Sequence, residues 1–283
     1  MTDQTPTKKL SSLAVDMHRA YVAEEENRRH KLDALLAGGS RNNVVLVMMA
    51  NRGYNDLFNN WVRSCDLKGI EVRSWSILFA VDEEAAANAE RQGFRNYIDA
   101  ISYGDQPREA VKAFGDRDFR LLMFQKTAIV RDVLSLGYDV LFQDVDMVWR
   151  KDPLTYLLDE GAVEFDARFM YDGRNRFHKP LHANTGFFLL RNRPASRKFW
   201  DEAVLSFAEM ARRGSQQSVI NSLLAQGGLR VDILPEEHFA NGHLFSVNQP
   251  SRLPADPFVI HCSWTSNREH KLLKYKRENL WYL

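Results

Sequence analysis

The chain has 283 residues, of which 45% are hydrophobic and 27% charged, as is typical of a globular protein with one large domain or two small ones. Its 38 Lys and Arg residues against 37 Asp and Glu leave a net charge of +1, so no overall field attracts nucleic acid or an anionic membrane. Two cysteines exclude a disulfide framework. No apolar run reaches the roughly 20 residues of a transmembrane segment.

The first 40 residues predict an extension of the main domain. Residues 10–37 carry apolar side chains at roughly helical spacing, with charges between them. We expect this helix to dock on the domain through its apolar face, although a helix that faces a partner or membrane remains an alternative. Residues 1–40 are thus a tail and helix, and 41–283 the main domain. With no signal-peptide hydrophobic segment at its start, the chain as written is expected to be cytoplasmic, or in the Golgi or another secretory lumen if trimmed.

Two apolar runs of strand length open the main domain. They cover residues 44–49 and 75–81, and each leads into a helical pattern. A longer helical pattern over residues 118–137 then leads into a third run at 138–142. Alternation of strands and helices predicts a mostly parallel sheet, and therefore a Rossmann-like α/β domain.

Two aspartates, Asp144 and Asp146, follow the third run directly. With 21 Asp in 283 residues, chance alone gives about 1.5 Asp-x-Asp triplets, and the chain has a second one at residues 116–118. The two triplets differ in position, because only residues 144–146 follow a strand-like run. In open parallel sheets, ligands bind where such strands end. Two carboxylates about 4 Å apart repel by roughly 4 kcal/mol at an effective dielectric of 20, so such a pair favours Mg²⁺ or Mn²⁺ together with substrate phosphates.

Further elements alternate in the second half of the chain. The patterns predict a short helix after Pro153, strands at 165–171, 182–192, 229–235 and 257–264, and helices at 195–213, 216–226 and 268–283. We find no repeat and no Pro- or Gly-rich linker, which favours one continuous α/β domain with an N-terminal helical extension.

One class that fits a strand followed by Asp-x-Asp is the haloacid-dehalogenase type of phosphatase. Its D-x-D-x-[TV] pattern, with the first Asp as nucleophile, matches Asp144 to Val148 literally. That class normally carries its motif on the first strand and needs a later acidic pair. Here two strand-like runs precede the motif, and no such pair follows it, so this interpretation is an alternative only.

Four segments carry a broader resemblance, namely "LGYDVLFQDVDMVWRKDP", "NTGFFLLRNRPASRKFW", "QQSVINSLL" and "VIHCSW". In this order, from about Val44 to the C-terminus, the chain resembles nucleotide-diphospho-sugar transferases of glycosyltransferase family 77, which are related to the retaining family 8 enzymes. The resemblance implies a GT-A fold, a divalent metal that is usually Mn²⁺ (or Mg²⁺), and a UDP- or GDP-sugar donor. It also implies transfer, with retention of configuration, of a sugar such as galactose, xylose or arabinose.

The same resemblance implies roles for individual residues. The metal ligands are Asp144, Asp146 and His261. The donor-binding residues are Ala50, Asn51, Arg52, Asp82, Lys126, Arg131, Thr185, Gly186, Gln216 and Lys271, with Lys274 a weaker candidate. Arg131 could equally pair with nearby acidic residues on a surface.

Asn184 and Gln217 are the implied catalytic residues, with Gln217 facing the anomeric carbon. Relatives often have an acidic residue at the position of Gln216, so its amide argues against a carboxylate nucleophile there and favours front-face substitution. It also leaves a catalytically silent nucleotide-sugar-binding protein as an alternative. Trp149, Trp264 and His182 are candidates for stacking on a sugar or acceptor, and the polar segment 171–183 for an acceptor or lid loop. The acceptor itself stays unknown.

Overall fold

The computed structural model describes residue 15 and residues 17–98, 117–159, 164–174 and 178–283. Ten strands are defined in these ranges: β1 Val44–Ala50, β2 Ser76–Ala80, β3 Arg95–Ile98, β4 Asp139–Gln143, β5 Met147–Trp149, β6 Ala167–Tyr171, β7 Ala183–Leu190, β8 Val231–Leu234, β9 Phe239–Asn241 and β10 Val259–His261. The helices defined there are α1 Glu25–Leu36, α2 Asn55–Leu67, α3 Glu83–Arg91, α4 Arg117–Ser135, α5 Pro153–Leu157, α6 Pro194–Leu205, α7 Phe207–Arg213, α8 Gln216–Leu224 and α9 Arg268–Arg277.

A seven-stranded sheet in the order β3-β2-β1-β4-β7-β6-β8 forms the centre of the domain. Strands β1 to β4 pair in parallel, and β6 pairs in parallel with β8. Strand β7 runs antiparallel to both β4 and β6. The predicted mostly parallel α/β sheet is thus confirmed, and the second Asp-x-Asp triplet falls at the start of α4, with Asp116 outside the described residues.

Apolar cores lie on both faces of this sheet. Along β1, Val44 and Leu46 belong to one core, whereas Val45 and Val47 belong to the other. Side chains of a strand alternate between its faces, so a continuous apolar run is what burial on both faces requires. Helix α2 packs on the first core and α4 on the second.

A smaller sheet in the order β5-β10-β9 lies beside the central one. The observed elements differ from the predicted ones in this sheet and in a few other places. Only Val259–His261 of the predicted strand 257–264 pair as a strand, and β3, β5 and β9 were not predicted, since runs of three or four residues carry too little periodicity. The predicted helix 195–213 is two helices, because the chain bends at Ser206, whose hydroxyl donates to the carbonyl of Glu202 (2.8 Å).

The N-terminal helical extension docks on α4. Arg28, 2% exposed, donates to Asp132 Oδ2 (3.0 Å), and the hydroxyl of Tyr21 donates to Asp132 Oδ1 (2.7 Å). The expected apolar contact is present as well, because Leu32 and Leu36 join the core on that face. The predicted single helix is interrupted by a turn at Glu24.

Replacing Asp132 by alanine is expected to lower the free energy of unfolding by about 3–5 kcal/mol, because it breaks the buried ion pair between Asp132 and Arg28. Denaturant unfolding measures this directly. Asp201→Ala, which removes a half-exposed carboxylate from the same region, should cost less than about 1 kcal/mol. Equal effects of the two substitutions would show that the buried pair does not fix the N-terminal extension.

Candidate functional site

A cavity of about 310 Å³, the main cavity, lies beyond the carboxyl ends of β4 and β6. Asp144 follows β4, and Asp172 follows β6. Because β7 runs the opposite way, its first residues, Asn184 to Gly186, meet them at the same edge of the sheet. Polar side chains that are far apart in sequence therefore line one concave surface.

A candidate metal centre lies in this cavity. One ligand atom from each of Asp144, Asp146 and His261 lies within 4.8 Å of the others. The Nε2 atom of His261 is 3.3 Å from Asp146 Oδ1 and 3.9 Å from Asp144 Oδ2. Neighbouring ligand atoms on an octahedral ion with bonds of about 2.1 Å lie about 3.0 Å apart. The three ligand atoms would therefore move closer together on binding a divalent cation.

Strand pairing brings His261 to the two aspartates. Strand β10 pairs antiparallel with β5, and His261 lies opposite Met147. The next residue, Cys262, donates its backbone N–H to the carbonyl of Asp146 (2.9 Å). The imidazole is therefore positioned by the register of the small sheet, 115 residues after Asp146 in the chain.

Gly186 leaves the space that the three ligands occupy. A Cβ atom at this position would lie 2.3 Å from His261 Cε1 and 2.7 Å from Asp144 Oδ2. The carbonyl of Gly186 also accepts the backbone N–H of Asp144 (2.7 Å). The backbone at Gly186 can therefore lie this close to the ligands only because glycine has no side chain.

Two lysines offset the charge of the aspartates. Lys126, which is buried, donates to Asp144 Oδ1 (2.7 Å), and Lys271 donates to Asp146 Oδ2. Burial alone would raise the pKa of Asp146, but the charges of Lys271 and His261 hold that pKa well below its ordinary value. Asp146 is therefore an anion, as a metal ligand must be.

A second cavity of about 150 Å³, the side cavity, adjoins the first. It shares Lys126, Asp144, Asp146 and Lys271 with the main cavity. The rest of its lining is mostly apolar, with Ala50, Asn51, Tyr54, Val81 and Leu122 among its residues. The candidate metal centre thus lies where a largely apolar cavity meets a polar one.

Asp172 is a cavity residue that sequence reasoning missed. Its Oδ1 accepts from Asn184 Nδ2 (2.7 Å), and its Oδ2 accepts from Gln217 Nε2 (2.9 Å) and lies 2.9 Å from His178 Nδ1. The amide of Gln217 is held from its other end too, because its Oε1 accepts the backbone N–H of Thr185 (2.9 Å). A buried carboxylate thus lies under the main cavity. The sequence did carry a signal for it, because the predicted strand 165–171 ends directly before Asp172.

Most of the predicted site residues line one cavity or the other. The main cavity contains Asn184, Thr185, Gly186, Gln217 and Trp264, the side cavity contains Ala50 and Asn51, and both contain Lys126 and Lys271. Lys274 is buried and donates to the carbonyls of Gly242 and Ser263 (2.8 Å each). Within the predicted lid segment 171–183, residues 175–177 lie outside the described ones.

Three predicted donor-binding residues lie elsewhere. Arg131 pairs with Glu25 (2.6 Å) and Asp201 (2.8 Å) instead of lining a cavity, because it lies more than one helical turn beyond Lys126 on α4. Gln216 is fully buried in the first turn of α8. Asp82 caps α3 by accepting from the backbone N–H of Ala85 (2.8 Å).

Two of the stacking candidates and one donor-binding candidate are likewise not among the residues that line the two cavities. Trp149 is 1% exposed and packs edge-on against Trp61 (5.6 Å between centroids), so core packing removes it from any sugar. The backbone N–H of Arg52 donates to Asp82 Oδ2 (2.9 Å), and its guanidinium to Glu84. His182 lies edge-on to Tyr171 and is outside the lining of both cavities.

No helix in the described parts of the chain is both long enough and apolar enough to cross a membrane.

Several known proteins resemble this chain. A beta-arabinofuranosyltransferase of Arabidopsis thaliana is 27% identical over 85% of this chain and 48% of its own length. A UDP-D-xylose:L-fucose alpha-1,3-D-xylosyltransferase of the same plant is 23% identical over 86% of this chain and 67% of its own length. The chain spans less than half of the length of three of the curated relatives that it matches.

The fold is shared with a solved structure of the galactosyltransferase LgtC, with a TM-score of 0.51 and 14% identity over 82% of this chain and 95% of that one. The sequence model of nucleotide-diphospho-sugar transferases matches residues 73–274, which is most of the chain. The chain therefore belongs to the nucleotide-diphospho-sugar transferase family and has the GT-A fold.

Proposed function

We propose that the chain is a metal-dependent, retaining glycosyltransferase that moves a sugar from a UDP-sugar to an acceptor hydroxyl. The observation that carries the proposal is the position of Asp144, Asp146 and His261 at the junction of the two cavities. The curated relatives include arabinosyl-, xylosyl- and galactosyltransferases, and four of them are described with UDP-sugar donors and fucose or fucoside acceptors. A pentose or galactose is therefore the proposed sugar.

The two cavities suit the two ends of such a donor. The apolar lining of the side cavity, with Asn51 and Tyr54 at its polar edge, suits a flat base and its ribose. The diphosphate would lie between the ammonium groups of Lys126 and Lys271, and the sugar over Thr185 and Gly186 in the main cavity. Lys271 pairs with Asp146 and would add its charge to the diphosphate side.

A divalent ion held by Asp144, Asp146 and His261 would neutralise the charge that develops on the diphosphate as its bond to the sugar breaks. Mn²⁺ or Mg²⁺ is the proposed ion, since two of the three ligand atoms are carboxylate oxygens. Lys126 and Lys271, which pair with Asp144 and Asp146, would also help to hold the two aspartates in position.

Retention follows from front-face substitution in this proposal. The acceptor hydroxyl forms its bond to the anomeric carbon on the face from which the diphosphate leaves, and a phosphate oxygen takes the hydroxyl proton. Asp172 and the Gln217 amide lie on the cavity lining with their hydrogen-bonding partners already in place. A fixed carboxylate stabilises positive charge at the anomeric centre without reorganisation.

The two alternatives weaken for different reasons. Family membership removes the phosphatase interpretation. The silent-binder interpretation relied on Gln216, but that side chain is buried outside the cavities, so its lack of charge does not disable the site. Asp172 supplies a carboxylate that the spacing of the sequence motif did not reveal.

Hydrolysis of a panel of UDP- and GDP-sugars, measured with Mn²⁺, with Mg²⁺ and with EDTA, tests the proposal. We expect at least one UDP-sugar to be hydrolysed with Mn²⁺ and EDTA to slow it by at least about 100-fold, since the charge on the leaving group is then uncompensated. The anomeric configuration of a transfer product, read by NMR, tests retention. Tight UDP-sugar binding without turnover of any donor would favour the silent binder.

A further inference from the structure

Trp264 differs from the other large aromatic residues of the chain. It is 51% exposed and lines the main cavity, whereas four other tryptophans are fully buried, namely Trp61, Trp75, Trp149 and Trp200. Burying an aromatic side chain in the core is strongly favourable, so an indole left half in water at a cavity mouth is a departure that calls for a ligand.

The backbone holds this indole in place at an energetic cost. Trp264 has φ +55°, in the left-handed region that a bulky residue rarely adopts. Its Nε1 donates to the carbonyl of Asp172 (3.1 Å), and the buried ammonium of Lys274 donates to the carbonyl of Ser263 (2.8 Å). Such strain persists only where the surrounding contacts hold the backbone in that conformation, and strained residues are frequent at ligand-binding positions.

Polar and aromatic groups surround the indole. The ring of His243 lies 5.8 Å from that of Trp264, and the ring of Tyr171 lies 6.1 Å from that of His243. Glu236 approaches His243 Nε2 to 2.6 Å, and Thr265 lines the cavity beside Trp264. The imidazole of His243 thus lies beside the indole and is paired with the carboxylate of Glu236, and Thr265, the next residue in the chain, lines the same cavity.

The chemistry of the surface around Trp264 indicates which kind of molecule binds there. Among the large hydrophobic side chains that are exposed in the described ranges, Trp264 alone lines either cavity, so a single indole is the strongly exposed apolar group that these ranges place there. A lipid or an apolar peptide would need a wider patch. A sugar ring has one face of C–H groups, which suits the negative face of an indole, and hydroxyls at its edge for the polar neighbours.

We propose that Trp264 is the platform on which the ring of an acceptor sugar stacks, with the reacting hydroxyl directed into the main cavity. The acceptor is then a glycan or glycoside, and not a side chain of a protein or a lipid headgroup. This inference rests on the proposed function, because it assigns the acceptor of the same site.

Kinetics with methyl glycosides of fucose, galactose and arabinose as acceptors test the inference. Trp264→Ala should raise the acceptor KM by about tenfold or more, the effect of one lost ring contact, and this change should exceed any change in donor hydrolysis without acceptor. Trp264→Phe, which keeps a ring but loses the N–H donor, should stay within about threefold. Leu273→Ala is the matched control, because Leu273 is 53% exposed and lies outside both cavities.

Three results would overturn the inference. They are an unchanged acceptor KM in Trp264→Ala, an equal loss of hydrolysis and transfer, and transfer to serine or hydroxyproline peptides with none to glycosides. If the wild type hydrolyses no donor, the proposed function fails first. Fluorescence titration with the same glycosides then decides the inference alone: quenching in the wild type that is lost in Trp264→Ala supports it, and no quenching overturns it.

Discussion

Replacing Asp146 by asparagine is expected to weaken Mn²⁺ binding, and to slow donor hydrolysis with it, by at least about 100-fold. Loss of a group that merely supports a metal ligand typically costs 10- to 100-fold, and Asp146 would contribute a ligand oxygen itself in the proposed site. The amide keeps the shape of the carboxylate but removes its charge. It also removes the charge that pairs with the half-buried Lys271 ammonium, and an uncompensated ammonium there repels a cation nearby.

Titration of Mn²⁺ by calorimetry, with unfolding measured in parallel, separates loss of the site from loss of the fold. Asp256→Asn is the matched control, because it makes the same change at a largely exposed carboxylate paired with Lys151. Its Mn²⁺ affinity should equal that of the wild type. If Asp146→Asn binds Mn²⁺ within about threefold of the wild type, Asp146 does not hold the metal.

Gly186→Ala is expected to abolish Mn²⁺ binding at concentrations that saturate the wild type, although only one methyl group is added. The new Cβ would lie 2.3 Å from His261 Cε1 and 2.9 Å from Asn184 Oδ1. Neither neighbour can withdraw freely, because His261 is the last residue of a buried strand and Asn184 is bonded to Asp172. Overpacking of this kind typically costs 1–3 kcal/mol in stability as well.

Gly39→Ala provides a comparison for the methyl group itself. Its Cβ would meet the guanidinium of Arg95 at 3.0 Å, a flexible group that can move aside, and the backbone carbonyl of Leu36 at 3.2 Å, a much looser contact than those at Gly186. Mn²⁺ affinity and donor hydrolysis should then be unchanged, and thermal unfolding only slightly affected. A Gly186→Ala protein with wild-type Mn²⁺ affinity would mean that the ligands around Gly186 are arranged differently when the ion is bound.

Much of the candidate site was predictable, because it follows the ends of strongly apolar strands. Asp144 and Asp146 come directly after β4, and Ala50 ends β1. Burial on both faces makes such strands continuous apolar runs, and the residues that follow them lie at one edge of the sheet. The predicted metal and donor-binding roles remain proposals, but the structure brings the metal ligands within 4.8 Å of one another.

The predicted site residues that line neither cavity differ from the others in the direction of their side chains. Trp149 is adjacent to the metal-binding segment in sequence, but it lies in β5 and faces the core. Arg131 and Gln216 are on helices whose cavity-facing positions belong to Lys126 and Gln217. One residue along a strand or a helix is enough to turn a side chain away from the cavity, as between Gln216 and Gln217, and five residues along α4 do the same between Lys126 and Arg131. Apolar periodicity alone does not locate these positions.

The sequence by itself determined the α/β class, the strand that presents the two aspartates and the family, because local apolar periodicity and short motifs are encoded by neighbouring residues. Tertiary structure decided the rest. The pairing of β10 with β5 placed His261 beside Asp146, antiparallel β7 carried Gly186 to the ligands, and the end of β6 put Asp172 beneath Gln217. These contacts depend on strand register between segments far apart in the chain, which no local pattern specifies.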